Sequence, residues 1–115
     1  MNEVFDGAGA ALTWSALDPG QCPDSVIETG VASLASTAAL EVGVWAHPAG
    51  TSTDVEQDEV FVVLSGSGRV ELGDGRVLPL GPGTVGVLQA GTATTWIIDE
   101  PLRKVWITSS TSSPS

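Results

Sequence analysis

The sequence predicts an all-β domain, a sandwich or barrel of short antiparallel strands. Three observations carry this. Short runs enriched in Val, Leu, Thr and Trp alternate apolar with polar residues. Clusters of Gly, Pro and Asp break those runs at short intervals. No segment sustains a helical period for more than a turn or two, which leaves packed sheets as the way to bury the apolar faces.

Taken in order, residues 1–39 are read as N-terminal strands and loop of the same domain. The Pro-Gly-Gln-Cys-Pro stretch makes 17–23 a loop, and 26–36 is compatible with one or two short strands or with a helical turn. The core of the domain spans 40–108, with strands expected at Leu40–His47, 59–64, 69–72, 76–80, 84–88, 94–98 and 102–108. Gly73-Asp74-Gly75 is a tight hairpin signal between two of these runs. Gly81-Pro82-Gly83 and Gln89-Ala90-Gly91 mark further turns, and Pro101 is expected to end one strand before the last begins. The Ser/Thr/Pro string 109–115 is expected to be a disordered tail.

At 115 residues, 42% hydrophobic and 16% charged, the chain can bury one real core without metal or disulfide support. Its net charge of −10 sets 14 acidic residues against Arg69, Arg76, Arg103 and Lys104. That surface repels phosphate backbones and anionic lipid, so nucleic acid and membrane are not expected partners, and the charge serves solubility. Cys22 is the only cysteine, so an internal disulfide is excluded and a reducing compartment is expected. No nearby cation activates Cys22 as a nucleophile. The start MNEVFDGAGAAL lacks the basic segment of a secretory signal, and no apolar run approaches a membrane span. The protein is expected in the cytoplasm.

From Gly43 onward the sequence resembles a cupin. Gly83, then Gln89, Ala90-Gly91, Thr94 and Ile98 fall on the spacing of the second cupin motif, and Glu59 and Gly66 on that of the first, inside DEVFVVLSGSGRVEL. Gly43-Val44-Trp45, Pro48-Ala49-Gly50, Asp58-Glu59, Thr95-Trp96 and Lys104-Val105-Trp106 are similar to the pattern of small ethanolamine-utilisation and ureidoglycine-aminohydrolase-type cupins. The resemblance covers residues 40–108. It implies a cupin (RmlC-like jelly-roll) barrel of two antiparallel sheets, with a ligand site at the barrel mouth.

The resemblance also implies where a metal would sit, and the residues there depart from it. Standard cupins place two His and a Glu from the first motif and a His from the second around the ion. This chain has one histidine, His47. The first-motif His positions fall on Ser52 and Asp54, or on Thr53 and Val55, and the second-motif position is Thr94. Only Glu59 remains as a ligand type, and one carboxylate does not hold a transition metal against water. An improvised set of Asp54, Asp58, Glu59 and His47 is weighed against Asp54 and Asp58 being solvated loop carboxylates. The expectation is no metal and no cofactor. His47 is expected at a strand end on the surface.

Alternation places Thr94, Trp96 and Ile98 on the inward face, with Glu59 also inward. Trp45 and Lys104 occupy positions this branch keeps at the mouth. Glu59 in an apolar barrel must be neutral or paired. A Glu59–Lys104 ion pair standing in for the metal is one reading; an unpaired Glu59 acting as general acid or base is another, and a structural carboxylate bonded to barrel hydroxyls is a third. Lys104 has the alternative of guarding an exposed strand edge. The candidate catalytic residues are thus Glu59 and Lys104, and the candidate ligand-binding residues Trp45, Thr94 and Trp96. Trp14 and Trp106 are read as core or dimer contacts.

Three functions follow: a metal-independent binder of a small polar metabolite, an enzyme of carbon–nitrogen or sugar metabolism using Glu59, or an accessory dimer with a filled barrel. A homodimer is expected, with the region 4–14 as its contributor.

Overall fold

The structure is a computed structural model that describes residues 2–109. Eight strands form it: β1 Thr13–Ala16, β2 Glu28–Ser36, β3 Leu40–His47, β4 Gly50–Val55, β5 Glu59–Leu72, β6 Val77–Leu80, β7 Val85–Leu88 and β8 Ala93–Ser109. All pairings are antiparallel. The one helical element among the described residues is a 3-10 turn at Pro19–Gln21, capped by Asp18, whose carboxylate accepts from Gly20 N–H at 3.0 Å. No helix of the described residues is long and apolar enough to cross a membrane.

The two sheets of the jelly roll share two strands. The first part of β5 pairs with β7 and with the end of β8, and the end of β8 also pairs with β3, which continues to β2 and β1. The later part of β5 pairs with β6 and with the start of β8, which also pairs with β4. Between the layers lie Phe61, Val63, Val70, Leu72, Leu80, Leu88, Trp96, Ile98 and Leu102, all buried. Ile27, ahead of β2, is buried as well.

Two expected breaks are bends instead. Runs 59–64 and 69–72 are one strand, and so are 94–98 and 102–108, because the register shifts between Val63 and Gly68 absorb the corner without ending the ladder. Pro101 does not stop β8: it sits exposed at the corner, where no ladder pair needs its missing N–H. Gly66 has φ +90°, and a Cβ there would overlap the backbone of Pro101 and Leu102. Two sheet corners therefore pass each other at a distance only glycine permits.

The hairpin at Gly73-Asp74-Gly75 forms as expected, with Arg76 N–H donating to Asp74 Oδ1 at 3.0 Å and Gly75 at φ +93°. Segment 26–36 resolves to β2. Strand β4 was not expected; its run Gly-Thr-Ser-Thr-Asp-Val carries little apolar signal, and it is held by pairing with β8. No strand precedes Thr13 among the described residues, so 4–14 is largely not a strand. It lies partly across the outer face: Arg103 donates to the carbonyls of Gly7 and Ala10, each at 3.1 Å. Of the expected tail, Ser109 ends β8, and 110–115 lie outside the described residues.

Gly66→Ala should lower stability by about 3 kcal/mol through positive-φ strain and the backbone overlap. Urea denaturation followed by tryptophan fluorescence measures this; a loss under about 1 kcal/mol would mean the corner yields.

Candidate functional site

The residue register sets the site. Trp45 on β3 lies opposite Lys104 on β8, and Gly43 lies opposite Trp106. On β5, Glu59 starts the strand, with Phe61 two residues on and on the same face. From the other layer, Thr94 and Trp96 on β8 point inward and are buried. At the mouth of these faces opens a cavity of about 530 Å³ whose wall includes Trp45, Trp96, Trp106, Glu56, Glu59 and Lys104. A second concavity of about 650 Å³ lies beside it, lined by Gln21, Thr53, Asp54, Glu71, Thr94 and neighbours, with no aromatic or cationic residue in its wall. The aromatic cavity is the one with chemistry in it.

At its centre is an ammonium. Lys104 Nζ donates to Glu59 Oε2 at 2.7 Å and lies 4.4 Å from the ring centroid of Trp96, 4.7 Å from Trp45 and 4.8 Å from Phe61. The Lys104 side chain is 5% exposed and that of Glu59 14%. Lys104 is therefore no edge guard, and of the three readings of Glu59 the paired one describes the geometry. Desolvation of two charges is offset here by direct pairing and by three ring faces, each of which attracts a cation. Burial pushes the Glu59 carboxyl above its ordinary value; Lys104 opposes this by charge and hydrogen bond, and Glu56 and Asp54 add to the rise.

Glu56 was missed by the sequence reading. It is 7% exposed, and its Oε2 accepts from Thr94 Oγ1 at 2.7 Å and from Trp96 Nε1 at 3.2 Å. The signal was there: period-two alternation from Ser52 through Asp54 continues to Glu56 on the same face. Asp54 pairs with Thr94 in the ladder, and Glu56 N–H donates to the Thr92 carbonyl just beyond. Thr94 thus serves through its hydroxyl on Glu56.

His47 is a correction. It is 1% exposed, not a surface residue. Its Nδ1 lies 2.6 Å from the Pro48 carbonyl and its Nε2 2.8 Å from Ser52 Oγ. Nδ1–H donating to Pro48 and Nε2 accepting from Ser52 describe a neutral ring. Burial holds its pKa below the usual value; the Pro48 carbonyl opposes this, and the nearby Lys104 charge reinforces it. The ring packs 5.2 Å from that of Trp45, which in turn lies 5.4 Å from Trp96.

Trp106 is half-buried and lines the cavity, so it is a wall rather than core. It can lie flat because a Cβ at Gly43 would overlap its ring. Trp14 is 51% exposed and is not core. Asp58 accepts from Ala90 N–H at 2.9 Å, tying the turn before β8 to the entrance of β5.

A family-model match covers residues 34–106 and is described as EutQ-like cupin domain. The chain belongs to this cupin family. Among solved structures, the Clostridium difficile EutQ protein superposes with TM-score 0.67 at 19% identity, over 82% of this chain and 75% of that one. The ethanolamine utilization protein Q of Salmonella typhimurium LT2 gives 0.62 at 12%, over 84% and 94%. A predicted oxalate decarboxylase of Thermotoga maritima gives 0.67 at 17%, over 91% and 96%. At such identities the likeness is of fold. No curated protein matches the sequence.

The metal implied by many cupins does not fit these residues. Among the described residues no group of three or more His, Cys, Asp or Glu is placed to hold an ion. Thr94 is committed to Glu56 and Ser52 to His47, while Lys104 holds a positive charge against Glu59, where an ion would need that carboxylate.

Lys104→Met should cost about 3 kcal/mol at pH 7 by leaving Glu59 buried without its cation. A carboxyl whose folded pKa is raised stabilises below its unfolded value, near 4.5, and loses that contribution as pH rises through the folded value. The deficit relative to wild type should therefore shrink as pH is lowered toward 5. Adding Glu59→Gln should recover most of it. Denaturation at pH 5 and pH 7 tests both; a pH-independent deficit would show that Glu59 is not what the lysine satisfies.

Proposed function

We propose that this cupin binds a small polar metabolite in the aromatic cavity at the barrel mouth, without a metal. The observation that carries the reading is the cavity itself: it has room for a small molecule, tryptophan walls, and polar groups already fixed by hydrogen bonds and packing. Lys104 and Glu59 hold each other in place, so a ligand would meet an oriented pair rather than pay to order two flexible side chains. Trp45 and Trp106 offer flat apolar surface, Trp96 lies buried behind Trp45, and Thr94 acts through Glu56. The open cavity speaks against an accessory protein with a filled barrel.

An enzymatic reading has one observation in its favour. Glu59 is buried, its carboxyl is pushed up, and it is bonded to an ammonium, which together make a proton donor and acceptor within reach of the cavity.

A homodimer in the cytoplasm completes the proposal. The outer face carries Val60 opposite Val87 and Val62 opposite Val85, with Val60 also opposite Ile107 and Val62 opposite Val105. Val85 is 64% and Val87 72% exposed. Edge strand β1, exposed along its length, adds unpaired backbone. In the cytoplasm a lone thiol such as Cys22 stays reduced.

Ligand-observed NMR against a panel of metabolite-sized acids, sugars and amines tests the binding reading. At least one compound should bind, and Trp45→Ala should weaken it about tenfold or more; silence across the panel at millimolar concentration would overturn the reading. For a compound that is also turned over, Glu59→Gln should abolish turnover while keeping binding within a few-fold if Glu59 is the acid/base group. Sedimentation should give twice the chain mass for wild type and the single-chain mass for Val87→Glu; a monomeric wild type would end the dimer proposal.

A further inference from the structure

The aromatic cavity has an imbalance of charge. Its wall includes Glu41, Asp54, Glu56 and Glu59 and one cation, Lys104. Lys104 is taken: Glu59 holds it at 2.7 Å, and three rings crowd its remaining sides. Pairing the two leaves three acidic residues and no free positive group in the wall. An anionic ligand entering here would meet those charges with no donor to answer it.

Glu56 makes the imbalance specific. Both of its recorded side-chain hydrogen bonds fall on Oε2, from Thr94 and Trp96. No buried side-chain nitrogen or oxygen among the described residues lacks a partner. Oε1 of this nine-tenths-buried side chain takes neither bond and so is not sealed from solvent; the cavity is the space that Glu56 lines, and the two bonds to Oε2 fix the carboxylate in place. A cavity wall that presents a held carboxylate oxygen offers charge attraction and a hydrogen-bond acceptor to one ligand group, with the rings of Trp45 and Trp106 as the apolar wall around it.

We propose that the ligand of this site is a small organic ammonium ion that still bears an N–H, held at Glu56 Oε1 with its carbon chain against Trp45 and Trp106. The proposal rests on reading the cavity as the ligand site, and it adds the ligand's charge and its need for a donor. A quaternary ammonium satisfies the rings but leaves Oε1 without a hydrogen, so it binds more weakly than a primary amine of the same size. The cationic group approaches from the side of Glu56 and Asp54, away from Lys104, whose like charge opposes it.

The test titrates the full chain with n-butylammonium, tetramethylammonium, n-butanol and butyrate at pH 7 and matched sodium chloride. The readout is the Trp96 indole N–H resonance, assigned with Trp96→Phe. The expected order is n-butylammonium first, then tetramethylammonium, with butanol and butyrate weaker by tenfold or more. Glu56→Gln should weaken n-butylammonium about tenfold to a hundredfold, the range of a lost charge-assisted hydrogen bond, and leave butanol unchanged. If Glu56→Gln fails to fold, Asp54→Asn at the exposed rim supplies the charge test, with a smaller loss for both cations and none for butanol. Butyrate or butanol binding as tightly as n-butylammonium overturns the inference about charge while the site stands. Tetramethylammonium binding as tightly overturns the requirement for an N–H. No probe shifting Trp96 at all overturns the site reading and this inference with it.

Discussion

The interaction on which the barrel depends is the contact between Lys104 and Glu59 inside a ring of aromatic side chains. An ammonium and a carboxylate in a small β-barrel are each costly to bury, and neither is tolerable there without the other. Their 2.7 Å contact, with Trp45, Phe61 and Trp96 around the nitrogen, turns two liabilities into a rigid centre. Each neighbour is in turn positioned by something else. Trp96 is held by Glu56, Trp45 packs on His47, and His47 is locked between Pro48 and Ser52. The polar groups of the mouth form a layered set in which the donors and acceptors of one residue orient the next.

This explains how a cupin can keep its fold while losing its imidazoles. Three or four metal ligands would anchor residues from both sheets on one point. Here a protein cation does part of that work, drawing β8 to β5 through Glu59 and to β3 through Trp45. The second-motif threonine has a different employment, as donor to a carboxylate at the end of the neighbouring strand β4. At Thr94 the local chemistry is hydrogen bonding to Glu56.

The fold was legible because alternation and glycine spacing are local signals, and the pair at its centre was one of three readings the sequence left open for Glu59. Thr94, Trp96 and Glu59 could be set on inward faces by period-two counting from the resemblance's motif positions, and Trp45 and Lys104 at the mouth by the resemblance; the register brings Trp45, Glu59, Trp96 and Lys104 to one cavity, with Thr94 lining the concavity beside it. What could not be read was what depends on partners far along the chain. Strand β4 has almost no apolar residues and exists because β8 pairs with it. His47, next to a proline, reads as a strand end, yet Ser52 folds back to cover it. Pro101 reads as a terminator because the rule is local, whereas a corner in a long strand has no ladder bond for proline to break. Glu56 escaped because it lies just past the end of β4, at no motif position, and its burial depends on Thr94 and Trp96 far along the chain.

Strands β5 and β8 run through both layers, and their order in the chain matters. Before β8 exists, β1, β2 and β3 can pair among themselves, and β5 can pair with β6 and β7, but β4 has no partner. Strand β8, which follows all of these in the chain, lies between β3 and β5 in one layer and between β4 and β5 in the other. Two separate meanders must wait for it, with their valine-rich faces and open edges unprotected, and closure then joins residues as distant as Gly43 and Trp106 in a single event. Folding of this domain therefore has a vulnerable interval that lasts until β8 is available to pair.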